Sequence, residues 1–307
     1  MGQTVQLSVV VLAALSVTSL FGGPSRDAFA FSEVRDRGDR GPHFTPITEV
    51  FEPSARHYPS GQYAKVAVLS WLQREWGPLP ATPAQAEAYK GVNRSDLASW
   101  METAAKNGAE LVVTPEFGVT GYPYADFSTP ADVAPYVETI PGPSTAYFGD
   151  LAQRLKIYVV FDLAEDGGDG AYYNAQVLMA PDGSIAGHYR KENLFGTERR
   201  YLSPGKDISV VNTPFGRVGM MICADVYGSV VDRYDLERLD AVIVSAAWTI
   251  PNAAMGNFAD LAKNLGVAVI ASNLADYPDS GVVSPDGTAQ SHIRQTIGLA
   301  YGYVKRK

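Results

Sequence analysis

One cysteine, one glutamate and one lysine follow apolar runs, where strands would hold reactive side chains in place. Cys223 is the only cysteine in the chain and ends an apolar, strand-like run. A lone thiol cannot form an internal disulfide, so its position needs another explanation. Glu116 ends a second apolar run, and Lys191 follows a third at residues 184–189. Because a carboxylate and an ammonium group can activate a thiol, these three residues predict a nucleophilic site.

The segments that would position these residues alternate between strand-like and helix-like patterns. Strands are predicted at residues 64–71, 109–114, 157–161, 174–179, 184–189, 210–216, 218–222, 241–246 and 268–272. Helices are predicted at residues 93–107, 145–155 and 254–265, and a last hairpin is predicted to open at residues 282–287. Some strands are joined by turns and others by helices, which favours one α/β domain with mixed sheets.

Composition excludes several classes of protein. The 307 residues, of which 46% are hydrophobic, suffice for one large domain or two small ones. The net charge of −8 argues against a nucleic-acid binder, which needs clustered Lys and Arg to neutralise phosphates. The four histidines are scattered along the chain: His43, His57, His188 and His292. We therefore expect no histidine-based metal site.

The N-terminus has the pattern of a targeting segment. Residues 7–21 are apolar and small, residues 22–25 (GGPS) break the run, and residues 28–30 fit a small-x-small cleavage site. About 15 apolar residues are short for a bilayer span. We predict a cleavable signal peptide at residues 1–30, and therefore a secreted or periplasmic mature chain with no stable membrane span. No Lys or Arg precedes the apolar run, so a membrane anchor and a misassigned start codon stay open as alternatives.

The rest of the chain divides into an arm and a domain. Residues 31–62 are rich in Pro, Gly, Arg and Asp and show no sustained period, which is typical of an N-terminal arm or linker. Residues 63–307 contain no fixed-period repeat and are predicted to form the single folded domain. In an exported chain an odd cysteine is itself a candidate reactive thiol.

The segments PEFG, YRKENLF and GMMICAD supply Glu116, Lys191 and Cys223 in that order, each after a predicted strand. In this pattern the chain resembles the nitrilase (carbon–nitrogen hydrolase) superfamily, which carries a Glu, a Lys and a Cys after successive strands. Within the superfamily the chain is most similar to the vanin/biotinidase branch, through the segments VTPE, KENLF, SAAW and ASNL. It departs from that branch in lacking several disulfide cysteines and in having one glycosylation sequon, at Asn93.

The resemblance implies a fold and a set of roles. The fold is a four-layer α-β-β-α sandwich with mixed sheets, usually dimerised through a helix face, so a homodimer is expected. Cys223 would be the nucleophile, Glu116 the general base, and Lys191 the stabiliser of the oxyanion together with the backbone N–H of Ala224. Glu198 would be a second glutamate that holds the lysine ammonium. This thioester chemistry needs neither a metal nor an organic cofactor.

Four further residues receive weaker predictions. Tyr122 and Trp248 could line the substrate pocket, although each could equally pack as a turn or core aromatic. Asp225 could orient the cysteine loop through backbone hydrogen bonds. We interpret Asn174 as a residue that begins a strand rather than as part of the site.

The residues favour a cofactor-free hydrolase of linear carboxamides. Similarity to the vanin/biotinidase branch suggests secondary amides, such as pantetheine-like or biotinyl amides. One alternative keeps the same three residues but acts on a nitrile, a primary amide or an N-carbamoyl amine. Another alternative is a catalytically silent secreted binding protein, in which Cys223 is merely a small buried hydrophobic residue. A silent protein has no physical need for both Glu116 and Lys191, which argues against that reading.

Overall fold

A computed structural model describes most of the chain beyond the N-terminal segment. The described residues are 49–53, 58–121, 127–248, 250, 253–275, 279–294 and 297–307. They all belong to one compact unit. The predicted signal peptide at residues 1–30 lies outside the described residues, as do Tyr122 and most of the predicted arm.

The first sheet has seven strands within the described part of the chain. In chain order they are β1 (Glu49–Phe51), β2 (Tyr63–Ser70), β3 (Leu111–Val113), β4 (Tyr158–Asp166), β5 (Tyr172–Met179), β6 (Ile185–Arg190) and β13 (Gly298–Lys305). They are arranged in the order β1-β13-β2-β3-β4-β5-β6. The neighbours β2, β3 and β4 run parallel, whereas β4, β5 and β6 are antiparallel. Strand β1 shows that three residues of the predicted arm join the sheet, in parallel with β13.

The second sheet has six strands among the residues described. They are β7 (Ser209–Thr213), β8 (Gly216–Ile222), β9 (Ala241–Ala246), β10 (Ala268–Asn273), β11 (Ser280–Val283) and β12 (Ala289–Ile293). Their order is β12-β11-β10-β9-β8-β7, and the central strands β8, β9 and β10 run parallel. Hairpins add the antiparallel outer strands, so both sheets are mixed, as predicted.

Helices cover the outer face of each sheet. In the described residues they are α1 (Pro83–Lys106), α2 (Pro130–Val133), α3 (Pro143–Leu155), α4 (Ser229–Asp235) and α5 (Ala254–Leu265). One core cluster joins α1 and α3 to the first sheet, for example through Met101, Phe148 and Phe161. Another fills the space between the sheets and continues to α5 through Phe258. The predicted four-layer α-β-β-α sandwich is therefore confirmed. No helix of the described segments is long and apolar enough to cross a bilayer.

Two elements are longer than the apolar pattern indicated. Helix α1 begins at Pro83 instead of residue 93, because Thr82 and Gln85 form a capping box at its start while the first turns are mostly polar or exposed. Strand β4 continues through Asp162 and Glu165, two buried acidic residues that a hydrophobicity pattern assigns to a loop. Pairing with β5 keeps this acidic segment extended.

Candidate active site

Glu116, Lys191 and Glu198 form one buried cluster. The Lys191 Nζ atom lies 2.6 Å from Glu116 Oε1 and 2.9 Å from each carboxylate oxygen of Glu198. All three side chains are buried. An ammonium group has three donors, and these three oxygens match them. The structure thus brings Glu116 to Lys191, which lies 75 positions later in the sequence, and to Glu198, which lies seven positions after the lysine.

Glu116 is held by both sheets. It follows β3 of the first sheet, and its backbone N–H donates to the carbonyl of Ala246 at the end of β9, at 3.3 Å. The next residue, Phe117, has a φ of 53°, an uncommon left-handed conformation for a non-glycine residue. Its N–H donates to Asp162 Oδ1 at 2.6 Å. The turn that aims the glutamate is therefore anchored to β4.

The two carboxylate oxygens of Glu116 have different surroundings. Oε1 accepts hydrogen bonds from Lys191 Nζ and, at 2.7 Å, from Asn174 Nδ2. Oε2 is buried and has no hydrogen-bond partner among the described residues. The first oxygen fixes the orientation of the carboxylate, and the second is the atom available to accept a proton.

Asn174 belongs to this cluster, which corrects its interpretation as only a strand residue. It lies on β5, where its carbonyl accepts the backbone N–H of Lys191 at 2.8 Å. Its side-chain Nδ2 donates to Glu116 and, at 3.4 Å, to Glu198 Oε1. Asn174 therefore touches both glutamates and fixes the backbone of the lysine. The sequence signal that could have indicated this was the predicted strand at residues 174–179, which forms a hairpin with the strand before Lys191.

Glu198 lies in a 3-10 turn at Gly196–Arg200. Its Oε2 accepts the backbone N–H of Phe195 at 2.6 Å, which closes the turn beneath the lysine. Burial raises the pKa of this carboxyl, and the charge of Lys191 opposes that rise. The structure places Glu198 against the Lys191 ammonium, and its supporting role in catalysis stays a prediction.

Cys223 sits at the junction between β8 and a 3-10 turn, Cys223–Val226. Its φ is 47°, so Cys223, like Phe117, has the left-handed backbone conformation that is uncommon for a non-glycine residue. Asp225 accepts the N–H of Ile222 at 3.1 Å and that of Asn193 at 2.8 Å. Asp225 thus binds two backbone N–H groups around the cysteine, and its orienting role stays a prediction. Ala224 follows the cysteine in the same turn, and its carbonyl accepts Asn193 Nδ2 at 3.2 Å.

The thiol is electrostatically linked to the cluster. Burial raises the pKa of Cys223 well above its usual value, and the negative charge of Glu116 raises it further. The charge of Lys191 and a hydrogen bond from the backbone N–H of Ala247 act in the opposite direction. A thiol is mostly protonated at neutral pH even at its ordinary pKa, so this raised pKa favours the neutral form of Cys223.

An aromatic pair lies beside the cysteine turn. Trp248 is half-buried, and its ring lies 5.7 Å from that of Tyr227 and 6.4 Å from that of Phe258. Its backbone N–H donates to Asn273 Oδ1 at 2.6 Å. The pKa of Tyr227 is raised to about 12 by burial and by the proximity of Cys223. Sequence reasoning missed Tyr227, whose only signal was its position four residues after the cysteine.

Within the described residues, no group of three or more His, Cys, Asp or Glu side chains is arranged to hold a metal ion. Two of the four histidines pair instead with buried carboxylates. His188 Nε2 lies 2.9 Å from Glu165, and His292 contacts Asp279.

Comparison with known proteins finds relatives among carbon-nitrogen hydrolases, pantetheinases and nitrilases. Residues 84–253 match the family model described as carbon-nitrogen hydrolase. The chain is 28% identical to pantetheinase from Bos taurus over 70% of this chain and 49% of the relative. It is 38% identical to a nitrilase from Pyrococcus abyssi over 43% of this chain and 50% of that protein. The structure of Saccharomyces cerevisiae Nit3, a nitrilase-superfamily member, superposes with a TM-score of 0.65 at 23% identity, covering 80% of this chain and 90% of Nit3.

The fold and the matched segment define an α/β protein of the nitrilase type. The chain belongs to the carbon-nitrogen hydrolase family, because the family model covers more than half of it. The predicted membership of the nitrilase superfamily is thereby confirmed, with pantetheinases among the relatives. The chain spans about half the length of the curated relatives it matches.

Proposed function

We propose that the protein hydrolyses the carbon–nitrogen bond of small linear amides through a thioester on Cys223. The observation that carries this proposal is that the two carboxylate oxygens of Glu116 have different surroundings. Lys191 and Asn174 bind one of its oxygens, while the other is buried and unpaired among the described residues. A fixed carboxylate with one available oxygen, close enough to the Cys223 thiol to raise its pKa, is the arrangement that general-base activation needs.

The first half of the reaction forms the acyl-enzyme. Glu116 Oε2 takes the proton from the thiol as the sulfur attacks the amide carbonyl, forming the S–C bond. The resulting oxyanion is stabilised by the charge of Lys191 and by the backbone N–H of Ala224. One such donor is worth about 3–4 kcal/mol of the barrier. Glu116 then gives its proton to the nitrogen, the C–N bond breaks and the amine leaves.

The second half releases the acid. Glu116, again ionised, takes a proton from a water molecule as its oxygen attacks the thioester carbonyl. The same two groups stabilise the second oxyanion, and the C–S bond breaks as the proton returns to the sulfur. No step uses a group beyond substrate, water, these side chains and the backbone N–H of Ala224. Glu198 keeps the lysine charged and in place throughout.

The substrate is proposed from similarity and from the rim of the site. Pantetheinases from three mammals each align with 70% of this chain, which favours a pantetheine-like secondary amide, with a biotinyl amide as a related choice. Tyr227 and Trp248 supply an aromatic surface next to the cysteine that fits an acyl group with apolar atoms. Tyr122 stays a candidate for this pocket.

The test compares the full chain with its Cys223→Ala variant. Both are incubated with a pantetheine-like amide, a biotinyl amide, a primary amide, a nitrile and an N-carbamoyl amine, and products are identified by mass spectrometry. Circular dichroism confirms that the variant is folded. Amine or ammonia release by the wild type alone supports the proposal. Equal activity of the variant, or inactivity of the wild type on every compound, contradicts it, and inactivity would favour the silent binding protein.

A second candidate keeps the mechanism and changes the substrate to a nitrile or a primary amide. It is favoured by the higher identity, though over less of the chain, to the Pyrococcus abyssi nitrilase, and by 32% identity to human omega-amidase NIT2 over 46% of this chain. The nitrogen product separates the two candidates, because these substrates release ammonia whereas a secondary amide releases an amine.

Export and dimerisation are also proposed. The pattern of residues 1–30 supports a secreted or periplasmic location. Cell fractionation followed by N-terminal sequencing of the mature protein would test it.

Resemblance to the superfamily supports a homodimer. Light scattering of the purified chain, which measures its molar mass in solution, would test it.

A further inference from the structure

Asp162 is a buried carboxyl group that the proposed mechanism does not use. It lies on β4 and is fully buried. Alternate residues of a strand share a face, so Asp162 shares the face of Val160, which packs in the core between the sheets. A carboxylate in such a place is costly unless something compensates its charge.

Only one of the two carboxyl oxygens of Asp162 has a hydrogen-bond partner among the described residues. Oδ1 accepts the N–H of Phe117 at 2.6 Å, and the Asp162 carbonyl accepts the N–H of Val119 at 3.0 Å. Oδ2 is buried and has no hydrogen-bond partner among the described residues. One side of the group therefore holds the turn after Glu116, and the other side faces no donor that would stabilise a negative charge.

The charges around Asp162 disfavour its ionised form. The groups that act on it are Glu116 after β3, Lys191 after β6, and Glu198 in the 3-10 turn. The lysine ammonium donates to both glutamates. Burial raises the pKa of Asp162 well above its usual value, and Glu116 raises it further. Three carboxylates around one ammonium would leave an excess of two negative charges in a buried site.

We propose that Asp162 is a protonated, uncharged positioning residue that holds the Glu116–Phe117 turn and leaves the lysine charge to the two glutamates. The neutral carboxyl supplies the acceptor for Phe117 without adding charge beside the base. The positioning half of this inference rests on the proposed role of Glu116, whereas the protonation of Asp162 does not.

The protonation is tested by stability against pH. Asp162→Asn keeps an acceptor for Phe117 and mimics the neutral carboxyl. An aspartate that stays protonated when folded, but ionises near its usual pKa of about 4 when unfolded, loses stability as pH rises above that value. The ratio of the wild-type unfolding constant to that of Asp162→Asn should therefore rise between pH 5 and pH 8, by up to about tenfold per pH unit.

The matched control is Asp182→Asn, in the turn between β5 and β6. Its carboxylate is exposed, and hydrogen bonds from the hydroxyl and backbone N–H of Ser184 lower its pKa. This group is ionised in both the folded and the unfolded chain above pH 5, so the corresponding ratio for this variant should not change over the same pH range. A ratio for Asp162→Asn that is equally flat would overturn the proposed protonation.

The positioning role is tested by labelling Cys223, the only thiol of the chain, with iodoacetamide at pH 7. Asp162→Asn should react within about twofold of the wild type, because its acceptor remains. Asp162→Ala removes the acceptor and should react at least about tenfold more slowly, since a small displacement of a reacting group is costly. Equal rates for the Ala variant, or an Asn variant as slow as Ala, would contradict the role.

The two measurements separate this inference from the proposed function. If Asp162→Ala does not fold, the pH series and the labelling of Asp162→Asn still decide. The unfolding series uses no substrate and no thiol chemistry. If the ratio rises but the chain hydrolyses none of the test compounds, the protonation of Asp162 is supported and the proposed amidase activity is contradicted. If the ratio is flat but the chain is an active amidase, the activity is supported and the protonation is contradicted.

Discussion

Both carboxylate oxygens of Glu198 accept a hydrogen bond from the Lys191 ammonium, each at 2.9 Å. Because the lysine also binds Glu116, its position and charge are set from two sides. A lysine held in this way would present a fixed positive charge to the site without a large reorganisation during the proposed reaction.

Removing one partner of this buried ion pair should be costly. Glu198→Ala leaves the Lys191 ammonium with one carboxylate fewer in a dry environment, so we expect a loss of about 3–5 kcal/mol in the free energy of unfolding. Urea denaturation measures it. Glu237→Gln serves as the control, because its pair with Arg217 is solvent-exposed and should contribute less than about 1 kcal/mol. Equal effects of the two substitutions would show that the Glu198 pair is not energetically distinct.

Asn174 should matter for activity more than a strand residue would. Asn174→Leu removes the donor that fixes Glu116 Oε1, and a hydrogen bond to a charged group is worth about 1.5–3 kcal/mol. We therefore expect the rate of Cys223 alkylation to fall about 10- to 100-fold. Asn212→Leu, on an exposed position of β7, is the control and should leave the rate unchanged. An unchanged rate in Asn174→Leu would return Asn174 to a purely structural role.

A chain of hydrogen bonds through Gln176 and Ser245 joins the two sheets and should stabilise the site. Gln176 Nε2 donates to Ser245 Oγ at 2.7 Å and to the carbonyl of Met221 at 3.2 Å. Ser245 Oγ in turn donates to the carbonyl of Thr114 at 2.8 Å. This link joins the strand ends that precede Glu116 and Cys223.

Gln176→Leu leaves buried carbonyl and hydroxyl groups without their donor. We expect it to lower the free energy of unfolding by about 1–3 kcal/mol and to slow Cys223 alkylation as well. Gln153→Leu is the control, since its side chain bonds the carbonyl of Asp182 at the surface. Loss of stability with an unchanged alkylation rate would show that the link supports the fold but not the geometry of the site.

The sequence was most informative where apolar strands end on reactive residues. The predicted strand at residues 241–246 and helix at residues 254–265 match β9 and α5, since both are bounded by clear changes of pattern. Cys223 follows such a strand directly. Short motifs in the correct order then indicated the family, which the comparisons confirmed.

Buried polar residues were the part that the sequence concealed. Asp162 and Asn174 look like loop or strand-end residues by their polarity. Only the folded structure shows that both are buried, with Asn174 bound to Glu116 and Asp162 bound to the turn after it. Tyr227 was missed for a different reason, because its nearness to Trp248 depends on the turn after Cys223 and not on any periodic pattern. Long-range packing decides such positions, and local propensity does not encode it.

The most direct test of the mechanism is the pH dependence of Cys223 alkylation in the wild type and in Glu116→Gln. Because the pKa of this thiol is raised, the free thiolate is scarce below pH 9, and without a base its reactivity should rise about tenfold per pH unit. The account predicts a nearly flat wild-type rate between pH 7 and pH 9, because Glu116 takes the proton. Glu116→Gln should be about 10²- to 10⁴-fold slower at pH 7 and should show the steep slope. Equal rates and equal slopes in the two proteins would contradict the assignment of Glu116 as the base.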